Sequence, residues 1–143
     1  MKFHCLDFLE EHTRSILQFY EPIVLDKSGG FFQNFQDDGT IFDKKSRHLV
    51  SSARFIFNYA EAYRRGLGDH YGEWVRHGLK FIEEIHLQPR TNQYAWQVGL
   101  VRDEAVYAYG HAFVLLAHAK ASIIGESDSI LRLRSVDQFL LDQ

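Results

Sequence analysis

The chain is poor in several things, and each shortage excludes something. A single cysteine, Cys5, leaves no intrachain disulfide to close and fits a reducing compartment. Two prolines in 143 residues leave room for long uninterrupted helices, because proline is the strongest helix breaker. Charge of either sign is not in large excess: a net −3 gives no electrostatic footprint for nucleic acid or an anionic membrane. No run of 18 apolar residues marks a membrane span, and the start turns acidic at Asp7, Glu10 and Glu11 where a signal peptide needs its apolar stretch. A cytoplasmic protein with no membrane or nucleic-acid partner is expected.

Familiar chemical signatures are also missing. Gly29-Gly30 is followed by aromatics rather than a helix start, so it is no phosphate loop. There is no Gly-x-Ser-x-Gly elbow. Asp37-Asp38 and Glu83-Glu84 are adjacent pairs, which do not converge on one bond as glycosidase carboxylates do. His111 and His118 stand seven apart with no carboxylate at ligand spacing, so no metal and no cofactor is expected, and His118 reads as a hydrogen-bonded core histidine.

What the chain does have is 45% hydrophobic and 15% aromatic residues, ample for a core, and an internal repeat. Ser46–Ile82 and Ala105–Leu141 each read as helix, turn, helix. Ala53, Ala60, Gly66 and Asp69 recur 59 residues later as Ala112, Ala119, Gly125 and Asp128. A helical hairpin cannot bury its apolar face alone, so such repeats stack or close into an array. Six units of that size need about 354 residues, the scale of a closed toroid. About two and a half are present, so residues 1–143 are expected to be the amino-terminal portion of such a ring.

The periodicity predicts helices from Leu6 to before Pro22, Lys45 to Arg65, His70 to Leu87, Asp103 to Ile124, and from Asp128, the last still running at Gln143. Gly66 is expected to close the second helix and Asp69 to cap the third. The fourth carries Val106, Tyr107, Tyr109, Ala112, Phe113, Val114, Leu115, Leu116 and Ala119, and is expected to be buried on every side. Two loops, Asp26–Thr40 with turns at Gly29-Gly30 and Asp38-Gly39, and Arg90–Arg102 with Tyr94 and Trp96, place aromatics ahead of the second and fourth helices. On the second helix Arg47, Ser51, Arg54, Asn58 and Glu61 recur in steps of four and three and share a face. That stripe is either solvated or, on the inner helix of a toroid, turned to a central cavity where a guanidinium could hold a substrate oxygen.

The segments Gly29-Gly-Phe-Phe, Asp37-Asp-Gly, Asp43-Lys-Lys and His48-Leu-Val-Ser-Ser-Ala-Arg54-Phe resemble the opening of the N-acylglucosamine 2-epimerase family. Tyr109-Gly-His-Ala-Phe113-Val-Leu-Leu-Ala resembles its next signature, so the likeness runs in order from about Asp26 to Ala119. It implies an all-α chain of helical hairpins with short β-hairpin loops, part of an (α/α)6 toroid. It also implies sugar 2-epimerase or aldose–ketose isomerase activity through an enediol-like intermediate, with mannose–fructose isomerisation favoured. The resemblance further implies that Arg54 takes the catalytic role of supporting a developing oxyanion, and that Tyr109, Phe113, Asn58, His111 and Trp96 line the sugar pocket. The family's catalytic histidines sit on later helices, and none of the histidines here matches them, so this polypeptide is expected to lack turnover by itself. Some relatives carry an aromatic where Val50 stands. Two rival readings keep the same helices: another toroidal carbohydrate enzyme such as a glycoside hydrolase or lyase, or a non-catalytic helical module that binds a partner or a second copy of itself, a homo-oligomer.

Overall fold

The computed structural model describes residues 5–21 and 23–142. Pro22, expected to end the first helix, and Gln143 lie outside them. The order is α1 (Leu6–Tyr20), β1 (Asn34–Phe35), β2 (Ile41–Asp43), β3 (Arg47–His48), α2 (Leu49–Arg64), α3 (His70–Phe81), a π-helical turn (Ile82–His86), β4 (Leu87–Gln88), β5 (Gln93–Tyr94), β6 (Gln97–Val98), α4 (Ala108–Ile123) and α5 (Asp128–Leu141). Among the described residues no helix is long and apolar enough to cross a membrane.

The repeat is real in three dimensions. Adding 59 to the bounds of α2, residues 49 and 64, gives 108 and 123, the bounds of α4. Both helices end in the same way. Gly66 and Gly125 take positive φ of 68° and 100°, and the N–H groups of Leu67 and Glu126 reach back to the carbonyls of Ala62 and Ala121 at 3.0 and 3.1 Å. These are paired Schellman caps, which glycine favours because it has no Cβ to clash in the left-handed region. The third helix starts differently from expectation. Asp69 makes no side-chain cap, and backbone turns from Gly68 and Asp69 to Tyr71 and Gly72 satisfy the first amides instead.

α2 lies at the centre, packed on α3 and α4, with α5 against α4. Its face of Leu49, Ala53, Ile56 and Ala60 is buried with Val75 of α3 and Val114, Ala117 and Ala121 of α4. Alanines at the contact let helix axes approach closely, which suits the dense packing of an interior. α1 attaches chiefly by its last turn. Tyr20 packs edge-on against Phe35 and Phe55, and Glu21 accepts hydrogen bonds from Tyr71 and His70.

α4 is not buried all round. Tyr109 is 58% exposed and Ile123 63%, with Ala112 and Leu116 on the same stripe. Its hydrophobic girth covers two faces with α2 and α5, and a third faces outward. Two helices also start later than their patterns suggest. Residues 45–48 turn on the Asp43 carboxylate and then enter β3, while residues 103–105 stay extended beside β6.

β3 and β6 form an antiparallel pair, Arg47 opposite Val98 and His48 opposite Gln97, extended by the Leu49 N–H to the Trp96 carbonyl at 2.9 Å. The pair joins the two aromatic loops just where α2 begins. Gly99, at φ 111°, permits this: a Cβ there would stand 2.0 Å from the Lys45 carbonyl oxygen. Gly66, by contrast, has open space around it. Gly99→Ala is therefore expected to destabilise by several kcal/mol, and Gly66→Ala by only about 1 kcal/mol for its backbone conformation. Denaturant unfolding of both variants checks the order; equal losses would contradict it.

Candidate functional site

Arg54 occupies the exposed face of α2, one and a half turns past the β3–β6 junction. Its guanidinium lies over the Phe113 ring of α4, 4.9 Å from the centroid. Phe113 in turn meets Tyr109 edge-on at 5.1 Å and stacks on Phe57 at 6.3 Å. Among the described residues Arg54 has no carboxylate within salt-bridge distance. An aromatic face holds a cation by its quadrupole without neutralising it, so the charge stays available to an incoming oxygen.

Arg47 is the contrast. Expected on the same helical stripe, it sits instead in β3, 3% exposed, where its guanidinium binds Asp26 at 2.6 Å and the Ser46 and Lys44 carbonyls. Burial works against ionised Asp26, but the Ser28 hydrogen bonds and Arg47 outweigh it and hold its pKa below the usual carboxylate range. Arg47 is thus a locked structural cation. The stripe is split further along as well. Asn58 lines an apolar cleft of about 320 Å³ against Leu17 and Tyr20 rather than joining Phe113. Glu61 is bound by Arg64, Arg65 and Lys120.

The other pocket residues expected from the sequence divide likewise. Trp96, half-buried, packs against His48 at 4.2 Å and Tyr107 at 4.8 Å and flanks Gly110 at the start of α4. It therefore stands at the same end of α2 and α4 as Arg54 and Tyr109. His111 does not. It is 0% exposed, its Nδ1–H donates to the Tyr107 carbonyl, and its Nε2 accepts the Tyr94 N–H at 3.1 Å. Both nitrogens hold backbone, so it has no polar atom left for a sugar; its place is structural.

His118 is the core histidine its pattern suggests. Nε2 bonds the Glu83 carboxylate at 3.1 Å and Nδ1 accepts from the Ser129 hydroxyl at 3.1 Å, while Tyr94 and Arg132 also bind Glu83. Carboxylate, imidazole and hydroxyl stand in the order of a nucleophilic triad. Ser129 is only 3% exposed, however, and the arrangement ties the end of α3 to α4 and α5. Among the described residues no group of three or more His, Cys, Asp or Glu converges to hold a metal ion.

A second buried chain reaches the junction. The Gln33 amide donates to the Ser52 hydroxyl at 2.9 Å, Ser52 meets His86 Nε2 at 3.3 Å, and His86 Nδ1 meets the Ala95 carbonyl at 3.0 Å. Gln33 also brackets His48, accepting its N–H at 2.6 Å and donating to its carbonyl. Composition and helical spacing carry no sign of Gln33 or His48, whose roles arise from loop pairing; His48's place just ahead of an apolar run was the one signal of a helix cap.

The family described as N-acylglucosamine 2-epimerase (GlcNAc 2-epimerase) matches residues 30–141. A D-mannose isomerase from Marinomonas mediterranea is 43% identical over 124 residues, which are 85% of this chain and 31% of that protein. A crystal structure of D-mannose isomerase superposes with a TM-score of 0.92 at 37% identity, over 99% of this chain and 37% of that one. The cellobiose 2-epimerase of Bacillus thermoamylovorans superposes with a TM-score of 0.78 over 93% of this chain and 37% of that one; at 15% identity it shares the fold alone. The chain thus spans about a third of the length of the relatives it matches, and its helices correspond to part of an (α/α)6 toroid.

The buried histidines set a pH dependence. Burial lowers the pKa of His86 to about 4, and lowers those of His48 and His111 as well. An unfolded histidine titrates near 6.5, so the unfolded chain takes up protons first as pH falls. Stability is therefore expected to be flat above about pH 6.5 and to drop between 6.5 and 4, His86 alone contributing on the order of 3 kcal/mol. The Asp43 carboxylate, held at about 2 by the Lys45 and Ser46 hydrogen bonds, adds its loss only below about pH 4. Urea melts across pH, with His86→Gln flattening the upper window, check this; an unchanged slope in that variant would contradict it.

Proposed function

Because this chain belongs to the N-acylglucosamine 2-epimerase family, we propose that it forms the amino-terminal arc of a toroidal enzyme that isomerises or epimerises a sugar next to its carbonyl. The single observation that carries the reading is the uncommitted Arg54 guanidinium, held over the Phe113 ring of α4. In this chemistry a base removes the proton from C2 of an open-chain aldose. The electron pair moves into a C1–C2 double bond, and negative charge develops on the carbonyl oxygen. Protonation at C1, with the O2 proton lost and one gained on O1, gives the ketose, and reprotonation on the other face of C2 with the aldehyde reformed gives the epimer.

Arg54 supports that oxygen. A fixed cation aimed at the developing charge needs no reorganisation during reaction, which is the usual source of large catalytic effects. Tyr109 and Trp96 offer rings on which the apolar face of a sugar can rest. The proton-transferring groups, on this reading, belong to the two thirds of the ring that this chain does not span. The substrate we favour is D-mannose, interconverted with D-fructose, because the 43% identical relative is a D-mannose isomerase. The uncommitted cation and the exposed aromatic face also favour catalysis over a purely structural arc.

The test is to join this chain to the portion of the Marinomonas mediterranea enzyme that it does not span, and to follow ketose formation with solvent deuterium entering C1 of the ketose and C2 of the recovered aldose. Turnover with deuterium uptake is expected, and Arg54→Ala should lower kcat about 10²- to 10³-fold with a smaller change in KM. A chimera that folds but exchanges no C2 proton, or one whose kcat survives Arg54→Ala within about threefold, would overturn the reading.

A further inference from the structure

One cleft at the start of α2 differs from the Glu83–His118 network in how its polar groups are spent. Around the Glu83–His118 network, carboxylate, imidazole, hydroxyl and guanidinium satisfy one another. In the cleft of about 320 Å³ bounded by β1, β2, β3, β6 and the first turn of α2, Gln33 and Asp43 are engaged in the same way but three other side chains are not. The side chains of Asn34, Ser51 and Gln97 line it with no hydrogen-bond partner among the described residues, and His48 offers one free nitrogen there.

His48 is held by four independent constraints. Gln33 binds its backbone N–H and carbonyl, the ring packs on Trp96 at 4.2 Å, and Nδ1 caps α2 by accepting the Val50 N–H at 3.3 Å. An acceptor Nδ1 in a neutral ring leaves the proton on Nε2, so His48 presents a fixed donor. Burial and the positive end of the helix both keep the ring neutral. Ser51 lies three residues before Arg54, about 4.5 Å along the helix axis, so the two share a face of α2. Two amides, a hydroxyl and a neutral imidazole beside an indole supply both donors and acceptors, and the one charge on the wall is the Asp43 carboxylate, already held by the Lys45 and Ser46 N–H groups and repelling anions. That chemistry matches the hydroxyls of a neutral sugar rather than a phosphate or a carboxylate.

We propose that this cleft is a sugar-hydroxyl subsite in which His48 Nε2–H donates to a substrate oxygen while Asn34, Ser51 and Gln97 read the neighbouring hydroxyls. The inference rests on the carbohydrate reading of Arg54 and extends it to positions that fix the orientation of the sugar. His48 is a positioning residue for its neighbours and a binding residue for the ligand.

The experiment is side-chain NMR of the ring-completed chimera titrated with D-mannose. Long-range proton–nitrogen spectra are expected to show His48 as the Nε2–H tautomer, and its nitrogen resonance should move saturably with the sugar. Asn34→Ala and Gln97→Ala each remove a group with no internal partner, so melting temperature should hold while the dissociation constant rises about tenfold. A His48 protonated on Nδ1, or alanine variants that bind D-mannose as well as the parent, would overturn the subsite. If D-mannose shifts Trp96 and Phe113 signals but leaves His48 unmoved, the subsite falls and the carbohydrate reading stands. If no signal moves at concentrations up to several hundred millimolar, both fall.

Discussion

The β3–β6 pairing is the constraint on which the remaining arrangement depends. Two residues of strand on each side are little structure in themselves, and an isolated pair of this length has no stability in water. It persists because the ends of α2 and α4 are packed beneath it and Gly99 lets the two backbones touch. In return it fixes where α2 begins, seats Trp96 over the start of α4, and turns His48 into a cap. Without it the two aromatic loops have no common anchor, and the groups on α2 and α4 lose their shared end.

The polar side chains fall into two populations, and the division has a physical basis. Arg47, Ser52, His86, His111 and His118 are buried, and a buried polar group left unpaired costs far more than a satisfied one contributes. Each of these is paired with backbone, a carboxylate or a hydroxyl. Arg54, Ser51, Asn34 and Gln97 are open on one side, so hydration removes that penalty and leaves their donors and acceptors free for exchange with a ligand. Arg47 and Arg54 make the point together: they are seven residues apart with the same side chain, yet one is consumed by Asp26 and the other rests on a ring.

Much of the fold was legible because helical periodicity and glycine caps are local signals. The 59-residue repeat located α2 and α4, and Gly66 and Gly125 closed them as their positions suggest. The helix starts were not legible, since Lys45–His48 and Asp103–Ala105 carry helical spacing but are captured by Asp43 and by strand pairing between distant loops. Arg47 was misplaced for that reason. His111 differs from its neighbour Tyr109, which faces outward, because its own position on the helix points it inward to the Tyr94 amide. The even apolar spread of α4 was read as burial all round, whereas Tyr109, Leu116 and Ile123 form an outward stripe. Apolar composition tells how much surface a helix can bury and not which partner covers it.

The central claim is that Arg54 is aimed at a sugar oxygen from the rim of α2 and α4. The most direct measurement is a crystal structure of the ring-completed protein with a planar hydroxamate that mimics the enediolate of a sugar. A hydroxamate oxygen is expected within hydrogen-bond distance of the Arg54 guanidinium, with Phe113 still beneath it. An occupied ligand elsewhere in the ring, with Arg54 turned to solvent, would contradict it.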